Sequence, residues 1–525
     1  MHPSVSEPLT RLPDGTVKQR NPFTGTEVWT VPGRGHRPLG LVRPAPQPLD
    51  PAQHGRHCAF CEHRLLETPP EKSRIVSTRA DDGAPGLADP AAPGRGAARG
   101  DDPRPSAGPP TSSRSSATTT GVSTTATNSP PDARRRRDEY LATEAGRAHV
   151  RAVVAAKLHA SGRSAEEAAA MSEAELIGAS AAFFGGTHDV VIARRHFVDG
   201  AVDDHQLASS GTLTPDEHHA FLALTADSMR DLYATTPAVR YVSVFQNWLK
   251  PAGASFDHLH KQLVAIDEVG AQNVAALDRL REDPQVFNHA ALDVAVAHDL
   301  VIAAHEHAVM FAGFGHRYPT VEVYSTSPVG QPWRQSAAEL RAVSDLLHAA
   351  HAATGPDVPS NEEWHTRPPG VASPMPWRVM LKWRVSTLAG FEGATKINVN
   401  TLSPWDVRDR VLARLREAAG GGRARRRGAD RGRRAGPAGR PAVRRRSGEA
   451  HPSARSVAWA SWPSTCSATA RSPTSWPATA SGPRPCRPGS PGGCPSRRGS
   501  RTWASTPRPA PSCSCARSRS WASPS

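Results

Sequence analysis

Apolar positions along this chain fall into blocks with different periods. Glu27-Val-Trp-Thr-Val31 alternates at period two and is followed by Pro/Gly turns, so the stretch from about Arg11 to Ser77 is expected to hold short strands and loops. From Tyr140 to Leu176 an Ala-rich helical pattern takes over, broken at Gly185-Gly186 before the strand-like run Asp189-Val-Val-Ile-Ala193. A helix is predicted from Pro215 to about Tyr233, capped by Thr214 with acids in its first turn. Val239–Phe245 and Leu263–Ile266 read as strands, and Leu292–Phe311 as helical. Then follow a strand at Thr320–Tyr324, a helix at Ser336–Ala353, a strand at Trp377–Val385 and a closing helix at Pro404–Ala419 that ends at three glycines. This alternation predicts an α+β or α/β body.

Two stretches carry no such pattern. Between Ala80 and Pro131 only Leu87 and Val122 are large apolar residues, too few to offset the entropy of ordering the segment. Gly421 to Ser525 is built from Arg, Ala, Pro, Ser and Gly without period. Both are expected to be disordered. They begin abruptly and use residues with GC-rich codons, so a shifted reading frame in a GC-rich gene stands as an explanation beside a natural linker and a basic tail. Translating the source DNA in all three frames separates the two.

Charge changes the picture further. The formal net charge of +15 comes from the tail, where 21 Arg face two acids, whereas residues 1–420 sum to −4. The body therefore offers no ground for nucleic-acid binding, and only the tail would touch nucleic acid, non-specifically. No run of eighteen apolar residues and no leader-like start is present, so a cytoplasmic protein without membrane contact is expected. The body holds just two cysteines, Cys58 and Cys61; three apart in a reducing compartment, they suggest a metal or redox pair rather than a disulfide framework.

The densest polar constellation is Gly253-Ala-Ser-Phe-Asp-His-Leu-His-Lys-Gln262, which follows Phe245-Gln-Asn247. On extended backbone His258, His260 and Gln262 project from one side, and the preceding small loop offers N–H groups and the Ser255 hydroxyl to a phosphate. Cys58-Ala-Phe-Cys61 supplies two of the four ligands a zinc site needs. His196 and His258 are candidates for the others, with His54, His57, His63 and His188 as competitors that spacing does not exclude.

At these residues the chain resembles the galactose-1-phosphate uridylyltransferases, the transferase branch of the histidine-triad superfamily. Asn21-Pro-Phe-Thr-Gly25, Trp29 and Arg34-Gly-His-Arg-Pro38 are similar to that family's opening, and Cys58-x-x-Cys61 with Thr68-Pro-Pro-Glu71 to its zinc loop. Gly186 to His196, Phe245 to Gln262, Ala389-Gly-Phe-Glu392 and Asn400 match later motifs in the right order. The resemblance implies an α+β fold of two histidine-triad-like halves, with a mostly antiparallel sheet and flanking helices. It places the catalytic, zinc-bearing half at 11–79 and 138–285 and a degenerate half at 286–420, with the insert 80–131 and the tail 421–525 outside them.

It further implies Zn2+ held by Cys58, Cys61, His196 and His258, and His260 as the nucleophile that takes a UMP-like group from a nucleoside-diphosphate hexose and passes it to a hexose 1-phosphate. Ser255, Gly253 and Gln262 would stabilise the transferring phosphoryl group; related hydrolases carry a third His at the position of Gln262. Asn247, Arg34 and Arg37 would contact nucleotide and diphosphate, and Phe391 with Glu392 the hexose. A homodimer with shared sites and a place in galactose metabolism are implied as well. A phosphorylase or hydrolase of the same superfamily, and an impaired nucleotide-sugar binder, are the alternatives.

Departures bear on activity. Pro376-Trp-Arg-Val-Met380 stands where many relatives place a second metal-binding His-x-His, so no second metal is expected. Trp248-Leu-Lys250 is unlike the usual Gly-rich run, which leaves the acceptor open. After Glu71 nothing matches the relatives' nucleotide-touching Asn-Lys-Phe-Pro-like segment, so weak or no catalysis is expected of this polypeptide, with an exposed strand edge in the first half-sheet.

Overall fold

The computed structural model describes residues 7–33, 39–40, 43–79, 85–87, 110–116, 131–235, 237–385 and 389–431. They all lie within one compact unit; the second, Cys466–Ser525, is outside the described residues. In chain order the elements are β1 (Leu9–Arg11), β2 (Val17–Arg20), β3 (Glu27–Thr30), β4 (Glu71–Arg79), β5 (Pro85–Leu87) and β6 (Pro110–Ser116). Four helices follow, α1 (Pro131–Leu141), α2 (Glu144–Ala160), α3 (Ala165–Ala169) and α4 (Glu173–Gly185), then β7 (His188–Ala193), α5 (Pro215–Thr235), β8 (Tyr241–Trp248) and β9 (His260–Ile266). The rest is α6 (Ala271–Glu282), α7 (Asp293–Ala297), β10 (Val301–His305), β11 (Ala308–Ala312), β12 (Thr320–Ser325), α8 (Ala337–Thr354), β13 (Ser360–His365), β14 (Arg378–Trp383), α9 (Gly390–Thr395), β15 (Ile397–Asn400) and α10 (Pro404–Arg431).

Eleven strands form one sheet in the order β10-β11-β12-β14-β13-β8-β9-β7-β6-β4-β5, with antiparallel pairing throughout. The succession β7-α5-β8-β9 is repeated as β12-α8-β13-β14, and the two copies meet where β8 pairs β13. Helices α5 and α8 cover one face and bury Phe221, Leu222, Met229, Val343 and Leu347 against the inward residues of the strands. Capping boxes start α4 at Ser172 and α8 at Ser336, while Thr214 and Glu217 exchange the same pair of hydrogen bonds ahead of α5. The mixed α+β architecture is the expected one. No helix among the described residues is long and apolar enough to cross a membrane.

Three expectations are corrected. The stretch Leu292–Phe311 is one long helix by pattern, but α7 ends at Ala297 with Asp299 in the left-handed region (φ 54°), and β10 and β11 form a hairpin instead. Alternating apolar residues served either period, and pairing with β12 decided it. The insert expected to be disordered contains β5 and β6, and β6 fills the place between β4 and β7. Backbone ladders need no apolar side chains, so Pro-Thr-Ser-Ser-Arg-Ser-Ser shows no strand signal. The remainder of 80–130 lies outside the described residues. Finally, α10 runs through the three glycines to Arg431 rather than stopping before them, because glycine costs a helix only about 1 kcal/mol each and helix-forming Ala and Arg follow.

A second, four-stranded sheet, β1-β2-β3-β15, joins the two ends of the described body, with β15 parallel to β3. Gly315 sits at its contact with the large sheet: φ is +67°, its N–H donates to Gln19 Oε1 (3.1 Å), and an added Cβ would lie 2.1 Å from the Asn21 nitrogen. Gly315→Ala is expected to cost at least about 2 kcal/mol in urea unfolding, since neither strain nor backbone clash can relax.

Candidate functional site

Strand β7 ends at Ala193, and the chain turns there to present His196; the segment before β9 presents His258 beside it. The loop around Cys58 and Cys61, closed by the Cys61 N–H donating to the Cys58 carbonyl (2.9 Å), supplies both sulfurs. The sulfurs are 3.7 Å apart, and each lies 3.4–3.7 Å from Nδ1 of His196 and of His258. A four-coordinate ion with metal–sulfur bonds of about 2.3 Å and metal–nitrogen bonds of about 2.0–2.1 Å requires edges of about 3.8 and 3.6 Å, so the donors fit. His258 Nε2 donates to the Ala193 carbonyl (2.8 Å), which leaves Nδ1 as the ligand atom. In the metal-free pair the Cys61 thiol is drawn down, chiefly by the hydrogen bond from Cys58, while Cys58 is pushed up by that same bond and by burial. Among the competitors, His57 packs edge-on against Phe197 (4.8 Å) and His188 binds Gln262; neither joins the cluster.

Two residues beyond His258, β9 begins with His260, which is buried under Phe60 (ring centroids 5.2 Å) and Phe256 (6.3 Å). Its Nδ1 donates to the His258 carbonyl (2.7 Å), so Nε2 keeps the lone pair. Burial pushes this imidazole below its ordinary value, opposed by that hydrogen bond. On the same face, Gln262 Oε1 accepts from His188 Nε2 (3.2 Å), which leaves the amide NH2 available as a donor.

Register extends the face across the junction. Phe245 stands opposite Gln262 and Glu363, and Asn247 opposite Asn361. Asn361 Nδ2 donates to Asn247 Oδ1 (2.7 Å) and to the Ala252 carbonyl (2.8 Å), and its Oδ1 accepts from Arg384 (2.7 Å). These side chains wall a cavity of about 570 Å³ together with Ser243, Asn273, Glu363 and His365. Asn361 and Arg384 have no sequence signal of their own, and the sequence offers His188 only as a candidate metal ligand; the fold brings Asn361 to Asn247, Arg384 to Asn361 and His188 to Gln262.

The loop between β8 and β9 starts at Leu249 in a positive-φ conformation (67°), costly for a bulky residue and typical of functional loops. Gly253 is left-handed (φ 90°), its carbonyl accepts from Asn247 Nδ2 (3.4 Å), and Ser255 is exposed. Phe391 and Glu392 lie on α9 beside the small sheet, Phe391 near Trp29 (6.2 Å) and Glu392 capping the helix and accepting from the Val399 N–H (3.0 Å). Arg34 and Arg37 lie outside the described residues. In Pro376-Trp-Arg-Val-Met380, Trp377 is core and Arg378 is buried over Phe23 and Phe287 (5.0 and 4.6 Å).

The antiparallel sheet thus bears His-x-His-x-Gln with a Cys2His2 cluster at the head of that strand. The chain belongs to the family described as "Domain of unknown function (DUF4921)", whose model matches residues 12–89 and 125–427. Over 179 residues it is 28% identical to ADP-glucose phosphorylase of Arabidopsis thaliana, a match covering 32% of this chain and 51% of that protein. The chain thus spans about half the length of that curated relative. Among solved structures it is similar to the Arabidopsis thaliana ADP-glucose phosphorylase with bound ADP-glucose (TM-score 0.47, 18% identity, 76% of this chain and 98% of that one). It is also similar to a galt-like protein from Arabidopsis thaliana (TM-score 0.45, 18% identity, 75% and 98%) and to a uridylyltransferase (TM-score 0.38, 18% identity, 45% and 76%).

Proposed function

We propose that this chain transfers a nucleotidyl group between a nucleoside-diphosphate hexose and a second phosphate acceptor through His260. The observation that carries the reading is the His260 hydrogen bond to the His258 carbonyl, which fixes the ring and leaves Nε2 with its lone pair, two residues along the strand and on the same face as Gln262. Nε2 attacks the α-phosphorus and the P–O bond to the β-phosphate breaks, with the electron pair leaving on the sugar 1-phosphate. An acceptor oxygen then attacks the same phosphorus, the P–N bond breaks and the imidazole regains its lone pair. Gln262, Ser255 and the Gly253 loop donate to the phosphoryl oxygens as charge develops on them. Asn247, held by Asn361, orients the nucleotide, and Arg34 and Arg37 add positive charge at the diphosphate; Phe391 and Glu392 meet the hexose across a homodimer.

Zinc is the ion that Cys58, Cys61, His196 and His258 would hold, as a closed site that fixes the strand beside the nucleophile. The first reading takes a hexose 1-phosphate as acceptor, as in uridylyl exchange; the match to ADP-glucose phosphorylase supports a second, in which inorganic phosphate accepts. Incubation with UDP-glucose and ADP-glucose labelled at the α-phosphate tests both. Label is expected on the protein, stable to base and lost in acid, and its chase by sugar phosphate or by phosphate selects the acceptor. Release to water alone rejects both.

A further inference from the structure

The helix-covered face under this site carries charge where packing alone calls for apolar residues. Gln246 stands opposite Glu362, and Lys261 lies one residue from each of His260 and Gln262, so Lys261, Gln246 and Glu362 form one register row across β9, β8 and β13. Lys261 and Glu362 side chains are both 0% exposed and 2.5 Å apart; Lys261 Nζ also donates to Gln246 Oε1 (3.1 Å) and lies over Phe221 (5.1 Å). Glu362 is completed by Trp364 Nε1 (2.5 Å) and His351 Nε2 (2.7 Å), and Gln246 by the Ser210 hydroxyl (3.0 Å). This row interleaves with two rows on the open face, one through Asn247 and Asn361 next to His260, the other through Gln262, Phe245 and Glu363.

We propose that the Lys261–Glu362 pair is a positioning device for nucleotidyl transfer, locking the register of β9, β8 and β13 so that His260 and Gln262 stay aligned with Asn247 and Asn361; this rests on the reading of His260 given above. Three features argue for it. A buried ion pair is a poor way to gain stability, since desolvation cancels most of the attraction and apolar residues of the same volume do as well. Strand β13, Ser-Asn-Glu-Glu-Trp-His, is polar on both faces, so hydrophobic patterning specifies its register weakly. A slip by two residues would leave Lys261 and Glu362 both buried without each other, which the pair forbids. The device also reaches from one repeat to the other across β8, tying the nucleophile's strand to the one that supplies Asn361.

The test uses the full-length, metal-loaded protein and the rate at which α-labelled nucleotide sugar labels it in a single turnover. Lys261→Met with Glu362→Gln removes both charges together, leaving no orphan. Metal content and melting temperature are expected to stay near wild type, with labelling at least tenfold slower and half-saturation moved less than threefold. Labelling within twofold of wild type overturns the proposal. If the double variant is insoluble, Glu362→Asp keeps the charge and withdraws it by one methylene: slowing of at least fivefold supports positioning, an unchanged rate overturns it. Absence of label on the wild-type protein sinks the His260 reading and this proposal with it, whereas equal labelling of wild type and variant sinks this proposal alone.

Discussion

His260→Ala leaves a folded, metal-bearing protein that takes up no label from an α-labelled nucleotide sugar, and turnover falls by about 10⁴-fold or more. The size follows from what the residue does in the proposed mechanism: without the imidazole the exchange has no covalent intermediate, and one direct displacement between two anions must replace two assisted ones. Folding survives because the ring's hydrogen bond is local, to the His258 carbonyl, and because its cover is the pair of side chains Phe60 and Phe256, which can close over a methyl group. Intact mass of the trapped protein checks the first part and coupled assay of sugar-phosphate release the second. A variant that still acquires the nucleotidyl mass places the nucleophile elsewhere.

The second large effect concerns the four-donor cluster. Cys58→Ser is expected to lower bound metal from one equivalent to under a tenth, measured by plasma mass spectrometry. It should also cut the melting temperature by on the order of 10 °C, because structural zinc contributes about 10–16 kcal/mol of apparent binding energy and one lost ligand forfeits several of these. The cluster ties the Cys58 loop to the segments that follow β7 and precede β9: His196 and His258 come from those segments and both sulfurs from the loop. His63→Ala is the matched control. His63 also lies close to the cysteines, in the short 3-10 helix Glu62–Glu67, but it stands outside the cluster with a half-exposed side chain, and its removal should leave metal content unchanged. Equal metal loss in both variants would show that the ion sits elsewhere.

The cysteine pair and the His260 strand were legible because their signal is local, in the short spacings Cys58-x-x-Cys61 and His258-x-His260-x-Gln262, and β7 showed itself by the apolar run Val190–Ala193. Which histidines meet the cysteines was not local, since His196 and His258 lie more than a hundred residues from them. Strand β13 was not legible. Glu362 and Trp364 face the helices while Asn361, Glu363 and His365 line the cavity, so neither period two nor an apolar run appears in Ser-Asn-Glu-Glu-Trp-His. The same applies to β6, whose place in the sheet is set by the backbone of β4 and β7. Asn361 and Arg384 escaped notice, and the contact of His188 with Gln262 with them, for a related reason. Asn361 and His188 matter through partners more than seventy residues away, Asn247 and Gln262, and Arg384 through Asn361, so no local window contains the whole set.

The parallel pairing of β3 with β15 has a consequence for biosynthesis. Val28 and Trp29 on the third strand wait for Asn398 and Val399 on the last, so the small sheet lacks its fourth member until nearly the whole body has emerged from the ribosome. At 5–20 residues per second that interval is on the order of 20–70 s. During it the nascent chain displays an open strand edge, which makes this amino-terminal segment the natural landing place for a chaperone.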